Sequence, residues 1–239
     1  FLIGADAPVL DRWRLGAVAG YSRSNFDVKG RHASGESDNY HLGLYAGTNW
    51  GALALRTGAA YTWHDISTSR TVIIPGFSDR LKSDYDAGTA QLFGELAYGF
   101  ALGATRFEPF ANLAYVNLHT DGFREAGGGA ALAGASANTE ALFTTLGLRA
   151  QASFNLGGAN LTAKGMLGWR HAFGDVTPLA SLRFAGGGTA FGIGGVPIAR
   201  NAAVVEAGLD YAITPNAALG LSYSGQFGSG LSDQSVRAN

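Results

Sequence analysis

His64 stands next to Asp65, His171 follows far down the chain, and serines are common. From such residue types acid–base or nucleophilic catalysis is built, but a catalytic histidine also needs a carboxylate that orients its ring. Neighbours on a β-strand point to opposite faces, so Asp65 is badly placed to orient His64. No Gly-x-Ser-x-Gly elbow occurs. The five histidines are scattered with no i, i+2 pair, and cysteine is absent, so neither a metal-ligand set nor a disulfide framework is indicated. The spacing predicts a chain that is not an enzyme and holds no cofactor.

A second set of charged residues is more regular. Asp6, Arg14, His41, Arg56, Glu95, Glu108, Arg149, Lys164, Arg170, Glu206 and Asp210 all fall on the polar side of an apolar/polar alternation. Acids and bases nearly balance within it. If that side lines a lumen, pairing between them limits the cost of desolvation when a polypeptide fills the space. The set then either braces the wall as ion pairs or contacts the polypeptide inside. A net charge of −1 with both signs mixed argues against nucleic acid as a partner.

The elements that position these residues are strands. From Leu53 to His64 the odd positions are mostly apolar or aromatic (Leu53, Leu55, Ala59, Tyr61, Trp63), and the even ones (Arg56, Gly58, Thr62, His64) are polar or tiny. A period of two places the two sets on opposite faces of one strand. The pattern recurs: Leu146 and Leu148 oppose Arg149, Leu167 and Trp169 oppose Arg170, Leu209 and Tyr211 oppose Glu206, and Leu221 opposes Ser222. Phe93 breaks it, lying on the side of Gln91 and Glu95. Only 15% of residues are charged, yet no run approaches the ~20 apolar residues of a membrane helix. A chain of this kind can cross a membrane only as a closed barrel, and strands of about ten alternating residues are the signature of one.

Connections alternate in length. Short ones fall at Asp11-Arg12, Asn49-Trp50-Gly51, Leu102-Gly103-Ala104, Gly157-Gly158 and Thr214-Pro215-Asn216, and long ones at 28–37, 67–84, 119–138 and 174–200. Short turns on one end and long loops on the other are expected of an outer-membrane barrel rather than a soluble sandwich. Aromatics bracket the strands, as Trp13 and Tyr21 or Phe107 and Tyr115 do. Eight residues at ~3.3 Å rise, tilted by about 40°, part each pair by roughly 20 Å, close to the height of the apolar band. The reading is all-β, a transmembrane antiparallel up-and-down barrel in the bacterial outer membrane, with a passive porin or adhesin barrel as the alternative use.

Taken together, Gly4-Ala5-Asp6, Gly20-Tyr21-Ser22, Tyr61-Thr62-Trp63-His64, Phe93-Gly94-Glu95-Leu96, Glu108-Pro109-Phe110 through Tyr115, Leu146-Gly147-Leu148-Arg149, Gly168-Trp169-Arg170-His171 and Gly195-Val196-Pro197-Ile198 resemble the C-terminal translocator barrel of autotransporters, the type V secretion proteins. The resemblance spans nearly all of 1–239 as one domain. It implies a twelve-stranded barrel that anchors and helps export an N-terminal passenger, with a linker helix of the passenger in the pore. It also implies assembly by the barrel assembly machinery, and a monomer in outer-membrane lipid. Against that pattern the chain is expected to start at strand two and stop within the last strand, short of a terminal aromatic, leaving ten whole strands and part of an eleventh. The apolar loop at 174–200 is expected to fold over the extracellular mouth, with Phe184, Phe191, Val196, Pro197 and Ile198 occluding it against the upper wall.

Overall fold

Each alternating stretch becomes a strand whose backbone is paired on both sides, as a wall in lipid requires. The computed structural model describes residues 1–28, 30, 32–156, 159–174, 176–214 and 217–238. The expected turns at Gly157-Gly158 and Thr214-Pro215-Asn216 therefore lie wholly or partly outside the described residues. The strands are β1 (Leu2–Val9), β2 (Trp13–Val28), β3 (Ala33–Trp50), β4 (Leu53–Ile74), β5 (Phe77–Tyr98), β6 (Phe100–Leu102), β7 (Thr105–Thr120), β8 (Phe123–Arg124), β9 (Leu132–Gly134), β10 (Ala137–Leu156), β11 (Ala159–Phe173), β12 (Leu179–Phe184), β13 (Phe191–Gly194), β14 (Asn201–Thr214), β15 (Ala217–Gly228) and β16 (Leu231–Ala238).

Twelve of them form one antiparallel sheet in the order β1-β2-β3-β4-β5-β7-β10-β11-β14-β15-β16, with β6 also on β7. β6 prolongs β5 without a change of register, since Ala97 opposes Phe110 and Phe100 opposes Phe107. The sheet curls into a half-barrel, and among the described residues β1 pairs only with β2 and β16 only with β15. A second sheet of four strands, β13-β12-β9-β8, is built from the two longest connections.

Two expectations about length are corrected. The wall strands β2 to β5 run to 16, 18, 22 and 22 residues rather than ten. The segments 28–37 and 67–84 are not open loops: β2 and β3 stay paired out to Val28 and Ala33, while β4 and β5 meet at Ile74 and Phe77. The turn there is Pro75-Gly76, with Gly76 at φ +77°, the left-handed position that follows proline in a type II turn. Hydrogen-bonded pairing simply continues past the apolar band into water, where neither face needs to be apolar.

The two faces of the sheet differ in kind. Leu44, Leu92, Leu96, Leu148, Leu167 and Leu221 are 43–65% exposed on the convex side, a pattern that only lipid can cover. Two aromatic rows frame them. Trp13 and Trp50 meet edge-on at 6.4 Å near the short turns, and Tyr21 packs on Tyr40 at 5.5 Å near the long connections. Phe93, the exception in the alternation, points to the concave side and covers the glycine opposite it, Gly58; Tyr45 over Gly16 and Phe110 over Gly147 repeat the arrangement. A ring laid across a strand glycine fills the space its missing side chain leaves.

Candidate functional site: the lumenal wall

The same alternation sets the charged residues on the face opposite the leucines, and register decides which of them meet. Arg56 lies opposite Glu95 across β4 and β5, and Arg149 opposite Glu108 across β10 and β7. The four close into one cluster. Arg56 donates to Glu95 at 2.8 Å and to both oxygens of Glu108 at 2.9 and 3.0 Å. Arg149 donates to both oxygens of Glu95 at 2.8 and 2.7 Å and to Glu108 at 3.0 Å. Its guanidinium also sits 3.9 Å from the centre of the Phe110 ring. Two cations and two anions cancel here, and shared guanidinium forks hold four strands in register.

The remaining predicted residues form smaller groups. Arg14 pairs with Asp6, which also accepts from the Tyr45 hydroxyl at 3.1 Å, and Lys164 pairs with Asp210. Arg170 donates to Gln226 at 3.0 Å and to Thr145 at 3.3 Å. His41 bonds the hydroxyls of Ser22 and Thr62, each at 2.9 Å. Glu206 is exposed and has no ion pair among the described residues. It lines a lumenal cavity of about 760 Å³ together with Arg106, Arg149, Lys164, Met166 and Arg237.

Sequence reasoning passed over Arg106 and Arg237, although Arg106 lies two residues before Glu108 and shares its face by the same alternation. His64, weighed as a catalytic residue, is instead held by Asn39 at 2.6 Å and Thr89 at 2.8 Å on the inner wall. Asp65 faces the other way, between Asp38 and Asp86.

The loop at 174–200 departs from expectation in detail. Its backbone is satisfied by sheet pairing: β12 binds β13 and also β9. Phe184 and Phe191 lie 6.1 Å apart on their own hairpin. Val196 is 84% exposed, Pro197 is exposed, and Ile198 is only half-buried, its N–H bonding the Val176 carbonyl at 2.7 Å. Pairing within the second sheet draws the segment into a structure of its own, which the spacing of these five residues did not announce.

A curled antiparallel sheet with a leucine-rich convex face and a charge-paired concave one defines an outer-membrane barrel wall. The family model for the autotransporter beta-domain matches residues 1–224, and the chain belongs to that family. A curated relative, an extracellular serine protease of Serratia marcescens, is 43% identical over 237 residues, covering 99% of this chain and 23% of its own. The chain thus spans about a quarter of that relative's length. Among solved structures, the translocator domain of autotransporter NalP from Neisseria meningitidis superposes with a TM-score of 0.77 at 17% identity, over 99% of this chain and 76% of that one. The beta domain of the Bordetella autotransporter BrkA gives 0.64 at 22% identity, over 99% and 85%. The protein is an autotransporter beta-domain, an integral outer-membrane barrel.

Proposed function

We propose that the concave wall is the path the passenger takes, and that its charged residues divide into two roles. Arg56, Glu95, Glu108 and Arg149, with Asp6–Arg14 and Lys164–Asp210, brace the wall. Glu206, Arg106 and Arg237 face whatever occupies the lumen, namely the passenger or its linker helix. The observation that carries this reading is the four-residue cluster, which satisfies charges at the wall itself and leaves the cavity beside it open. In this reading 1–239 works as one barrel domain, with a further strand closing the seam between β1 and β16, since unpaired edges in lipid cost several kcal/mol per group. Insertion by the barrel assembly machinery and a monomeric state complete the picture. Any catalysis belongs to the passenger, for which the relative's name makes a serine protease the first activity to assay.

The test is surface display of the passenger in cells, read by added protease, for the wild type and for Glu206→Lys and Arg106→Glu. Both variants are expected to insert normally and to slow display. Display at the wild-type rate in both would remove these residues from the path.

A further inference from the structure

Beyond the apolar band, the β4–β5 hairpin carries an attachment that a translocating wall does not by itself require. Arg70 on β4 holds Glu125 through two bonds, Nε to Oε1 at 2.6 Å and Nη2 to Oε2 at 2.7 Å. The same guanidinium donates to the Ala130 carbonyl at 2.9 Å, and Glu125 accepts from the Leu132 N–H at 2.7 Å. Asp79 on β5 accepts from the Ala130 N–H at 2.8 Å. Lys82 and Ala126 exchange both backbone bonds, at 2.9 and 2.8 Å. Phe123 stacks on Tyr85 at 5.1 Å, and Leu81 is fully buried. The stretch from Phe123 to Ala131 pairs along the free edge of β5 at Lys82 and sets its side-chain contacts on the face that Arg70, Asp79, Leu81 and Tyr85 share by register with Arg56 and Glu95. It lies close: a Cβ on Gly127 would strike the Arg80 carbonyl, and one on Gly128 the Asp79 carboxylate.

This stretch does not end in itself. β8 pairs with β9, β9 with β12 and β12 with β13, so contacts at Arg70 also hold the long connection between β11 and β14. On the translocator reading, we propose that this four-stranded sheet is a flap at the extracellular end of the lumen, latched at Arg70–Glu125, which unlatches while polypeptide passes and closes once the lumen is clear. The attachments are unequal in the way a flap needs. Toward β7, β10, β11 and β14 the sheet is joined through the chain itself, and toward β4 and β5 by non-covalent contacts alone. The latch is also releasable in kind. Each partner of an ion pair regains water when it separates, so its net worth is small beside that of a leucine cluster of equal size.

The flap is tested in the whole protein by Lys82→Cys combined with Ala126→Cys. Antiparallel residues that exchange both backbone bonds have Cα atoms about 5.5 Å apart, within reach of a disulfide. The 239 residues contain no cysteine to compete. The disulfide is expected to close, the passenger to disappear from the surface, and reductant to restore it, while heat-dependent gel mobility stays that of a folded barrel and either single substitution displays normally. A second arm uses Arg70→Ala, which is expected to keep display and raise amide exchange in 123–132 and 179–194 relative to β10. A fully oxidised protein that still displays its passenger overturns the flap, and unchanged exchange in Arg70→Ala overturns the latch. Failure of the wild type to display a passenger would count against export itself, leaving the exchange arm to judge the latch.

Discussion

Arg149 touches three partners at once, Glu95, Glu108 and the Phe110 ring, so it is the residue whose loss the wall feels most. Arg149→Ala leaves Glu95, only 8% exposed, with Arg56 as its remaining partner. The expected cost is about 1–2 kcal/mol once solvent screening at the half-open arginine is allowed for, read as a lower denaturation midpoint in detergent. Adding Glu95→Gln should recover part of it, because the stranded charge is then gone; a double variant weaker than the single would contradict this. On the other face, Leu148→Arg puts a charge into lipid and is expected to cost ~2–4 kcal/mol if Leu148 lies near the midplane. At this scale the sequence was most readable, because a period of two assigns a face to every residue. It could not say who pairs with whom. Arg56 meets Glu108 across 52 positions, and only register, fixed by turns, brings them together.

Register also explains why the strands themselves were misjudged in length. Between Ser67 and Ile74 no apolar stripe marks the strand, because one face is covered by the polar contacts around Glu125 rather than by lipid, and serine and glycine nearby read as loop. The surviving signals were the β-branched run Thr71-Val72-Ile73-Ile74 and the Pro75-Gly76 pair that turns it. Gly76→Val, forced to φ +77°, is expected to cost roughly 1–2 kcal/mol locally. Amide exchange should then rise across 67–84 while the unfolding midpoint of the barrel stays put; a fall in that midpoint would show that the hairpin supports the wall. At 174–200 the strands went unread for a different reason. The apolar residues there looked like packing groups, but β13 pairs with β12, and β12 finds its other partner in β9, whose paired residues are 48 to 52 positions away and which no local pattern points to.

Among the described residues, pairing is dense in the middle of the sheet and ends at β1 and β16. β1 and β16 are eight residues each and nearly all exposed, whereas β4 and β5 pair over their full 22. Amide protons of β1 and β16 in the 239-residue chain are expected to exchange far faster than those of β4, β5 and β10 in detergent. Closing the seam with a further strand should slow them. Equal protection throughout would mean that the two edges already find each other.

The cancelled charges at the centre of the wall have one more consequence. A channel that recognised its cargo would display groups waiting for a particular complement, and each cargo would have to evolve to match. Here the strongest charges on the inner surface answer one another across four strands, and a chain sliding past them meets neither a strong attraction nor a strong barrier. Such a surface is tolerant. On the proposed translocator reading, the paired cluster sets no condition on the exported domain, which makes this part of the barrel portable from one cargo to another.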